Sequence, residues 1–413
     1  MDQPFQILAW LALLMLAVVS AQMVVNQYRL FRAAQSTAAL ERDYLRERIG
    51  QIADQRRFER EKSEASWNGF RKFRIVEKVS ETADIVSFHL APHDGKPLPP
   101  FLPGQYVTFQ LNVAGQPRPV VRCYSLSERP GVPDRYRVTI KRVPGGAGSN
   151  HFHDALKVGD IVDMKAPAGS FCLDLQRQTP VVLVGGGVGL TPLLSMLNAI
   201  TATNSEREVW LFFGVRNGSE HLMRDHLRVV AGKHPNVHLH VCYSQPSAED
   251  LAEEPRMFQH TGRVTLDLVK HELPDRPFEY YLCGPPAMMN GLVAELKTSG
   301  VPENRIFNEA FGASTVRAPA LQTSSTTTLA LKIQFGRSGK TCAWNADAGS
   351  LLDFALRNNV VIDSGCRAGN CGTCLVAIKS GEVTHLREPG VTVEKGSCLA
   401  CISVPKTALV LDA

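Results

Sequence analysis

Cys366, Cys371 and Cys374 fall within nine residues of "DSGCRAGNCGTC", and Cys398 and Cys401 follow in "SCLACIS". Thiolates are soft ligands, and three of them with a fourth nearby suit either an iron–sulfur cluster or zinc. The C-x4-C-x2-C spacing favours a [2Fe–2S] cluster over zinc. The small residues between the cysteines let backbone N–H groups reach the cluster sulfurs. A disulfide framework is not expected in a reducing cytoplasm. Cys123, Cys172, Cys242 and Cys342 read as structural thiols, because cysteine often serves as a small buried hydrophobe.

Two further constellations lie upstream. In "RCYSLS", Arg122 to Ser127, the residue types match what a flavin requires. It needs a cation for its pyrophosphate, an aromatic face against its ring and a hydrogen-bond partner near N5. Arg122, Tyr124 and Ser125 offer these in turn, and strand alternation aims positions 122 and 124 to one side. The stretch "VPGGAGSNHFHDAL" follows, where Gly148 permits close backbone approach and Ser149 or Asn150 is expected to cap the next helix. The other constellation is "PVVLVGGGVGLTPLLSMLNAI", a buried strand, a glycine run through Gly186, Gly187 and Gly189, and a helix. Thr191 is expected at its N-cap and Pro192 in its first turn, so that the positive helix end faces the glycines. That arrangement suits a dinucleotide pyrophosphate, although it is not a clean G-x-G-x-x-G.

These residues need scaffolds, and the texture of the chain supplies them. From Phe70 onward, short alternating runs such as "DIVSFHL", "QYVTFQL" and "RYRVTIKRV" predict a small antiparallel barrel. After "APAGSF" the pattern changes to α/β, with strands at "EVWLFFGV", "VHLHVCYS" and "FEYYLCGP" that predict a doubly wound parallel sheet. The small, polar "ASTVRAPALQTSSTTTL" reads as a linker. A hairpin at "ALKIQFGRSGKTCAW" and a helix at "SLLDFALRNN" then lead into the cysteine loop.

Phe5 to Val25 is an uncharged apolar run of 21 residues, about 31 Å long as a helix and so a match to a bilayer core. Arg29 and Arg32 follow it, which places the remainder of the chain in the cytoplasm, with the helix as a single pass through the cell inner membrane. A cleaved signal peptide is the competing reading, but the basic n-region is missing; a buried core helix is the other. The densely charged stretch up to Ser66 reads as a juxtamembrane helix. With 413 residues, 44% hydrophobic and 21% charged, the chain has the profile of several packed domains. Its net charge of +5 gives no reason to expect nucleic-acid binding.

The pieces "WNGFRKFRIVEKVSE", "FLPGQYVTFQL", "RCYSLS", "GGAGSNHFHD", "GGGVGLTPLLSML", "YLCGPPAMM" and "NEAFG" run in order between Trp67 and Thr315. In this the chain resembles the ferredoxin–NADP reductase superfamily, and within it the reductase half of flavohaemoglobins and the reductases of hybrid-cluster proteins. The resemblance implies FAD on Arg122, Tyr124, Ser125, Gly148 and Ser149, with Leu126 and Asn150 beside them. It implies a nicotinamide dinucleotide on Gly186, Gly187, Gly189, Thr191, Cys283, Gly284 and Pro285. Glu309 and Phe311 occupy the "E-x-F-G" positions, where Phe311 would lie against the flavin and Glu309 would tune its protonation or local field; Ser125 and Cys283 complete the expected catalytic set. The tail resembles plant-type ferredoxins, with a β-grasp fold, and that family's pattern makes Cys401 rather than Cys398 the fourth ligand. Arg216 would suit a 2′-phosphate and Glu220 a bare ribose; the resemblance favours NADH over NADPH.

The expected order is therefore an anchor (1–27), a charged helix (28–66), an FAD barrel (67–176), an NAD(P) domain (177–314), a linker (315–329) and a ferredoxin domain (330–413). Residues 1–66 leave no room within this chain for a globin, so a haem-based dioxygenase is not expected of it. The expected activity is NAD(P)H-dependent electron transfer through FAD and [2Fe–2S] to a partner redox protein, such as a membrane-bound oxygenase, hydroxylase or desaturase. The alternatives are an electron-input subunit of a quinone-reducing respiratory complex, and a membrane redox sensor without turnover. In the sodium-translocating quinone reductase, which the first alternative resembles, the ferredoxin domain precedes the flavin domain.

Overall fold

The computed structural model describes residues 3–116, 118–131, 134–203, 206–253, 255–310, 331–365, 367, 369, 372–386, 389 and 391–413. The expected linker and the site residues Phe311, Cys366 and Cys371 lie outside the described residues.

Helix α1, Gln3–Ala65, opens the chain. The anchor and the charged segment, expected as two pieces, form one uninterrupted helix. The reason is local: Pro4 falls in the first turn, where it costs no hydrogen bond, and Gly50 is the only other weak helix former of its kind in the stretch. Within it, Leu13–Arg32 has a mean hydropathy of 1.2 and none of it is buried. By length and composition this is the one helix among the described residues able to cross a membrane, and a signal sequence would pass the same test. Residues 62–413 form a separate compact unit.

The flavin-type module has six antiparallel strands: β1 (Arg71–Ser80), β2 (Ile85–Pro92), β3 (Tyr106–Leu111), β4 (Val120–Ser125), β5 (Tyr136–Lys141) and β6 (Ile161–Met164). Their order is β4-β3-β6-β1-β2-β5. The two edges approach each other just past β4, where Leu126 bridges to Val138 on β5 and the Ser127 amide donates to Arg137 O at 3.0 Å. Joining the edges in this way removes unpaired strand groups and curls the sheet into a barrel. Phe73, Phe88, Phe109, Tyr136 and Phe152 fill its interior. Helix α2 (Ala147–Asn150) and a π-helical turn (His151–Ala155) follow β5.

The second module is a parallel sheet of β7 (Val181–Gly186), β8 (Val209–Val215), β9 (Val237–Tyr243), β10 (His260–Thr261), β11 (Glu279–Gly284) and β12 (Ile306–Ala310), ordered β10-β9-β8-β7-β11-β12. Its helices are α3 (Leu190–Ala202), α4 (Arg224–Lys233), α5 (Ala248–Ala252), α6 (Leu266–Glu272) and α7 (Pro286–Thr298). Alternate strand residues face opposite layers. Leu183, Leu211 and Val241 share a core with α3 and α4, while Val182, Val184 and Phe212 share one with α6 and α7. Both faces are covered, as a parallel sheet requires.

The third module has β13 (Lys332–Phe335), β14 (Lys340–Ala343), β15 (Leu375–Ser380), β16 (Val383–His385), β17 (Ser397–Leu399), β18 (Ser403–Pro405) and β19 (Leu409–Leu411). Five form a mixed sheet, β14-β13-β19-β15-β17, and β16 pairs with β18. Helix α8 (Leu351–Arg357) packs Leu351, Phe354 and Ala355 against Ile333, Phe335 and Leu411. Ser350 and Asp353 close its start with a capping box.

Candidate flavin, nucleotide and cluster sites

Arg122 and Tyr124 point to the same side of β4, as strand alternation requires, and Gly148 packs against both. A Cβ on Gly148 would lie 2.7 Å from Arg122 Cγ and 3.4 Å from the Tyr124 hydroxyl, so only glycine allows this approach. Tyr124 rests on Phe109 and Phe152, with ring centroids 5.9 and 5.4 Å away. Burial raises its hydroxyl pKa and keeps it protonated. Burial lowers the Arg122 pKa; the neighbouring Tyr124 raises it, and Arg367 of the cysteine loop lowers it further.

Ser125 is 4% exposed, and its Oγ has no hydrogen-bond partner among the described residues; Asn150 Oδ1 is buried in the same state. A buried polar atom without a partner is costly unless a ligand completes its bonds. Two such atoms in the segments that carry Arg122, Tyr124 and Gly148 fit FAD, which brings an aromatic ring system and a pyrophosphate. Leu126, by contrast, directs its side chain into the barrel core. The helix after the glycines begins at Ala147 with Gly146 as its cap residue, so neither Ser149 nor Asn150 caps it. Ser149 instead turns back, accepting from Val143 N at 3.1 Å and donating to Gly146 O at 3.3 Å. The turn at Gly145–Gly146 closes early, which starts the helix sooner than the sequence pattern predicts.

In the parallel sheet, β8, β9 and β10 extend from one side of β7, and β11 and β12 from the other. Ligands of open parallel sheets bind beyond the carboxyl ends of the strands at such a switch point. Gly186 ends β7 and Gly284 ends β11, with Gly187 and Pro285 just beyond them. A Cβ on Gly189 would lie 2.3 Å from Cys283 O, which draws the glycine turn onto the end of β11. Helix α3 starts at Leu190 with Gly189 at its cap, so Thr191 is the second helical residue rather than the cap. The 3-10 turn Gly187–Gly189 runs directly into the helix and displaces its start, and Thr191 Oγ1 donates back to Val188 O at 2.9 Å. Pro192 stands in the first turn as expected.

Cys283 on β11 sits beside Glu309 on β12 in the strand register. Cys283 is fully buried and Glu309 is 4% exposed. Burial pushes the Cys283 thiol well above its ordinary pKa, and the Glu309 charge adds to this; Cys172 is raised to about 12 by the same two causes. Both thiols therefore stay protonated near neutral pH. Past β8, Arg216 and Glu220 form an ion pair at 3.2 Å, joining two residues that the sequence offers as opposite choices for the adenosine ribose. Sequence reasoning missed two neighbours of this crevice. Met288, four residues after Gly284 in "CGPPAMM", covers Gly186 and Gly284. Asp250 accepts from Gly218 N at 3.2 Å and, three residues after the cap Ser247, closes the capping box of α5; only that position hints at it.

The cysteine loop folds back on the last strands. Ala400 N donates to Cys374 O at 3.0 Å, and a Cβ on Gly369 would lie 2.6 Å from Ile402 Cδ1. Cys401 lies in the 3-10 turn Ala400–Ile402, and Cys374 at the entry to β15; both are buried. Cys398 lies on β17 opposite Val376. Burial raises its thiol to about 11, with a side-chain hydrogen bond from Ser403 opposing the shift.

Comparison with known proteins agrees with this geometry. Residues 72–172 match the oxidoreductase FAD-binding domain family, 183–294 the oxidoreductase NAD-binding domain family, and 334–406 the 2Fe-2S iron-sulfur cluster binding domain family. A flavohemoprotein of Bacillus cereus is 39% identical over 257 residues, 61% of this chain and 63% of that protein. The chain thus spans less than two thirds of the length of that relative. The flavohem-like FAD/NAD-binding domain of a Vibrio cholerae nitric oxide dioxygenase is 31% identical, with a TM-score of 0.53, and the match covers 59% of this chain and 98% of that one. Phthalate dioxygenase reductase is 27% identical with a TM-score of 0.55, over 84% of this chain and 98% of its own. With FAD-binding, NAD-binding and 2Fe-2S domains in one chain, the protein belongs to the ferredoxin–NADP reductase superfamily, with FAD, a nicotinamide dinucleotide and a [2Fe–2S] cluster as its cofactors.

Proposed function

We propose that the protein is a membrane-anchored, NADH-preferring reductase that delivers single electrons to an oxygenase, hydroxylase or desaturase. The observation that carries this reading is the presence of all three modules in one chain, in a match that covers nearly the whole of phthalate dioxygenase reductase. That protein is described as modular, for electron transfer from pyridine nucleotides to [2Fe–2S]. FAD supplies the conversion between a two-electron donor and one-electron acceptors.

The residues divide the work. Arg122, Gly148, Ser149 and Asn150 hold the flavin pyrophosphate, Tyr124 faces the ring, and Ser125 offers its unused hydroxyl near N5. Gly186, Gly187, Gly189, Thr191, Gly284 and Pro285 receive the nicotinamide dinucleotide, and Cys283, kept neutral, packs beside it. Glu309 and Phe311 complete the entry to the flavin, and Cys366, Cys371, Cys374 and Cys401 ligate the cluster. The Arg216–Glu220 pair supports NADH, because a carboxylate already neutralises the cation that a 2′-phosphate would need. Arg118 stands 3.8 Å from Asp363, next to the cysteine loop, so that the cluster module meets the flavin module there. The apolar first part of α1 supports the anchor, and Arg29 and Arg32 support a cytoplasmic location for the modules.

Anaerobic mixing of purified protein with NADH tests this. The flavin absorbance should bleach, and a rhombic EPR signal of the reduced cluster should follow. NADPH in the same apparatus should be slower. A protein that oxidises NADH while its cluster stays oxidised would sink the proposal, and faster reduction by NADPH would overturn the nucleotide preference.

A further inference from the structure

The parallel sheet carries a group of metal-type ligands on β9, β10 and α6, elements that supply none of the cofactor residues above. His240 on β9, His260 on β10 and Glu272 at the end of α6 bring their ligand atoms within 4.8 Å of one another. His240 Nδ1 stands 3.1 Å from His260 Nε2. The Glu272 carboxylate oxygens lie 3.9 Å from the first nitrogen and 4.0 Å from the second. Ligands bound at zinc distances in a tetrahedron are roughly 3.3 Å apart. The two imidazole nitrogens are already close to that spacing, and the carboxylate needs to close by roughly 0.6 Å, within the reach of glutamate torsions.

Hydrogen bonding alone can satisfy the two facing imidazole nitrogens, one donating to the other, but it leaves the carboxylate without a donor from the pair. Between two neutral imidazole nitrogens only one can carry the proton, and the facing carboxylate can only accept. A cation satisfies all three acceptors together. The His240 ring is also fixed in orientation: it stacks on Phe212 at 4.7 Å and on Trp210 at 5.7 Å, and lies nearly parallel to the His260 ring with centroids 5.3 Å apart. Reciprocal bonds hold the strand that brings in His260, since Val241 N donates to Gln259 Oε1 and Gln259 N donates to Val241 O. The side chains are 14%, 21% and 27% exposed, which leaves room for a water.

We propose that His240, His260 and Glu272 form a zinc site with a water as the fourth ligand. Two imidazoles and a carboxylate with one open position is a donor set suited to zinc. Cys242 pairs in register with His260 but lies outside the ligand set. The metal would tie the end of α6 to the edge strand β10 and its neighbour β9.

The test uses the full-length holoprotein, equilibrated with zinc and then dialysed against metal-free buffer. The wild type should retain one zinc per chain beyond its iron. Zinc-edge X-ray absorption should show nitrogen and oxygen ligands with imidazole outer-shell scattering and no sulfur. Both His240→Ala and the milder Glu272→Gln should lose this zinc while keeping iron and NADH–ferricyanide activity. His238→Ala, on the same strand but outside the set, should keep it. Zinc should raise the thermal midpoint of the wild type and leave that of Glu272→Gln unmoved. Zinc retention equal in wild type and Glu272→Gln, or a sulfur shell from metal in the cysteine loop, would overturn the assignment.

Discussion

Cys398 and Cys401 are three residues apart and both buried, yet their surroundings differ in kind. Cys398 lies on a strand opposite Val376, packed in the core. Cys401 lies in the turn that Ala400 N ties to Cys374 O. Cys401→Ser is therefore expected to lose the cluster's iron and visible absorbance while keeping flavin, and Cys398→Ser to keep both. Iron analysis and EPR of the two variants decide, and the reverse pattern would reject Cys401 as the ligand. Gly189 poses a steric question instead. Its missing Cβ would sit 2.3 Å from Cys283 O, so Gly189→Ala must push the glycine turn off the end of β11. The KM for NADH in ferricyanide reduction should rise about tenfold or more, equivalent to about 1.4 kcal/mol of binding. An unchanged KM would place the nucleotide elsewhere.

At the scale of elements, His221 links the segment after β8 to β9 through a 2.8 Å hydrogen bond between its Nδ1 and the Tyr243 hydroxyl. The side chain is buried, and burial lowers its pKa to about 4. Above pH 6.5 the imidazole is neutral in both folded and unfolded chains, and its contribution is fully present. Between pH 6.5 and 4 the unfolded chain takes up the proton and the folded one does not, so stability falls by about 1.4 kcal/mol per pH unit, to a total of about 3 kcal/mol. His221→Gln should flatten the fall in thermal midpoint between pH 7.5 and 5.5; a slope equal to that of the wild type would reject this role. The sequence was most legible where a pattern is local. Alternating runs announced the barrel, a buried strand with a glycine turn and the strands after it announced the parallel sheet, and the cysteine spacing announced the cluster loop. Less legible was whatever depends on one or two residues of register. Thr191 and Ser149 have the chemistry of helix caps, but a 3-10 turn and an early glycine turn start the helices ahead of them. Contacts between distant segments left no trace in the pattern: His240, His260 and Glu272 meet only because β9, β10 and α6 do.

For the whole molecule, the open question is what α1 contributes to a reductase whose cofactor residues all lie beyond it. The uncharged run Phe5–Val25, about 31 Å long as a helix, matches a bilayer core and leaves Arg29 and Arg32 at its flank. Its exposed Leu13, Leu14, Met15, Leu16 and Val18 are costly to hydrate, so the proposed anchor has a clear driving force. A tether would add nothing to catalysis within the modules. It would instead confine the protein and a membrane-bound acceptor to the same surface, raising their effective concentration. Removing residues 1–66 should therefore leave NADH–ferricyanide activity unchanged and release the protein from the membrane fraction. With native membranes as the acceptor, the same truncation should lower NADH-dependent turnover about tenfold or more, because short tethers impose effective concentrations in the millimolar range. The two assays separate tethering from folding damage, since damage would lower both. Equal turnover of full-length and truncated protein on membranes would show that the helix is no tether, and N-terminal sequencing of mature protein lacking it would identify a signal sequence instead.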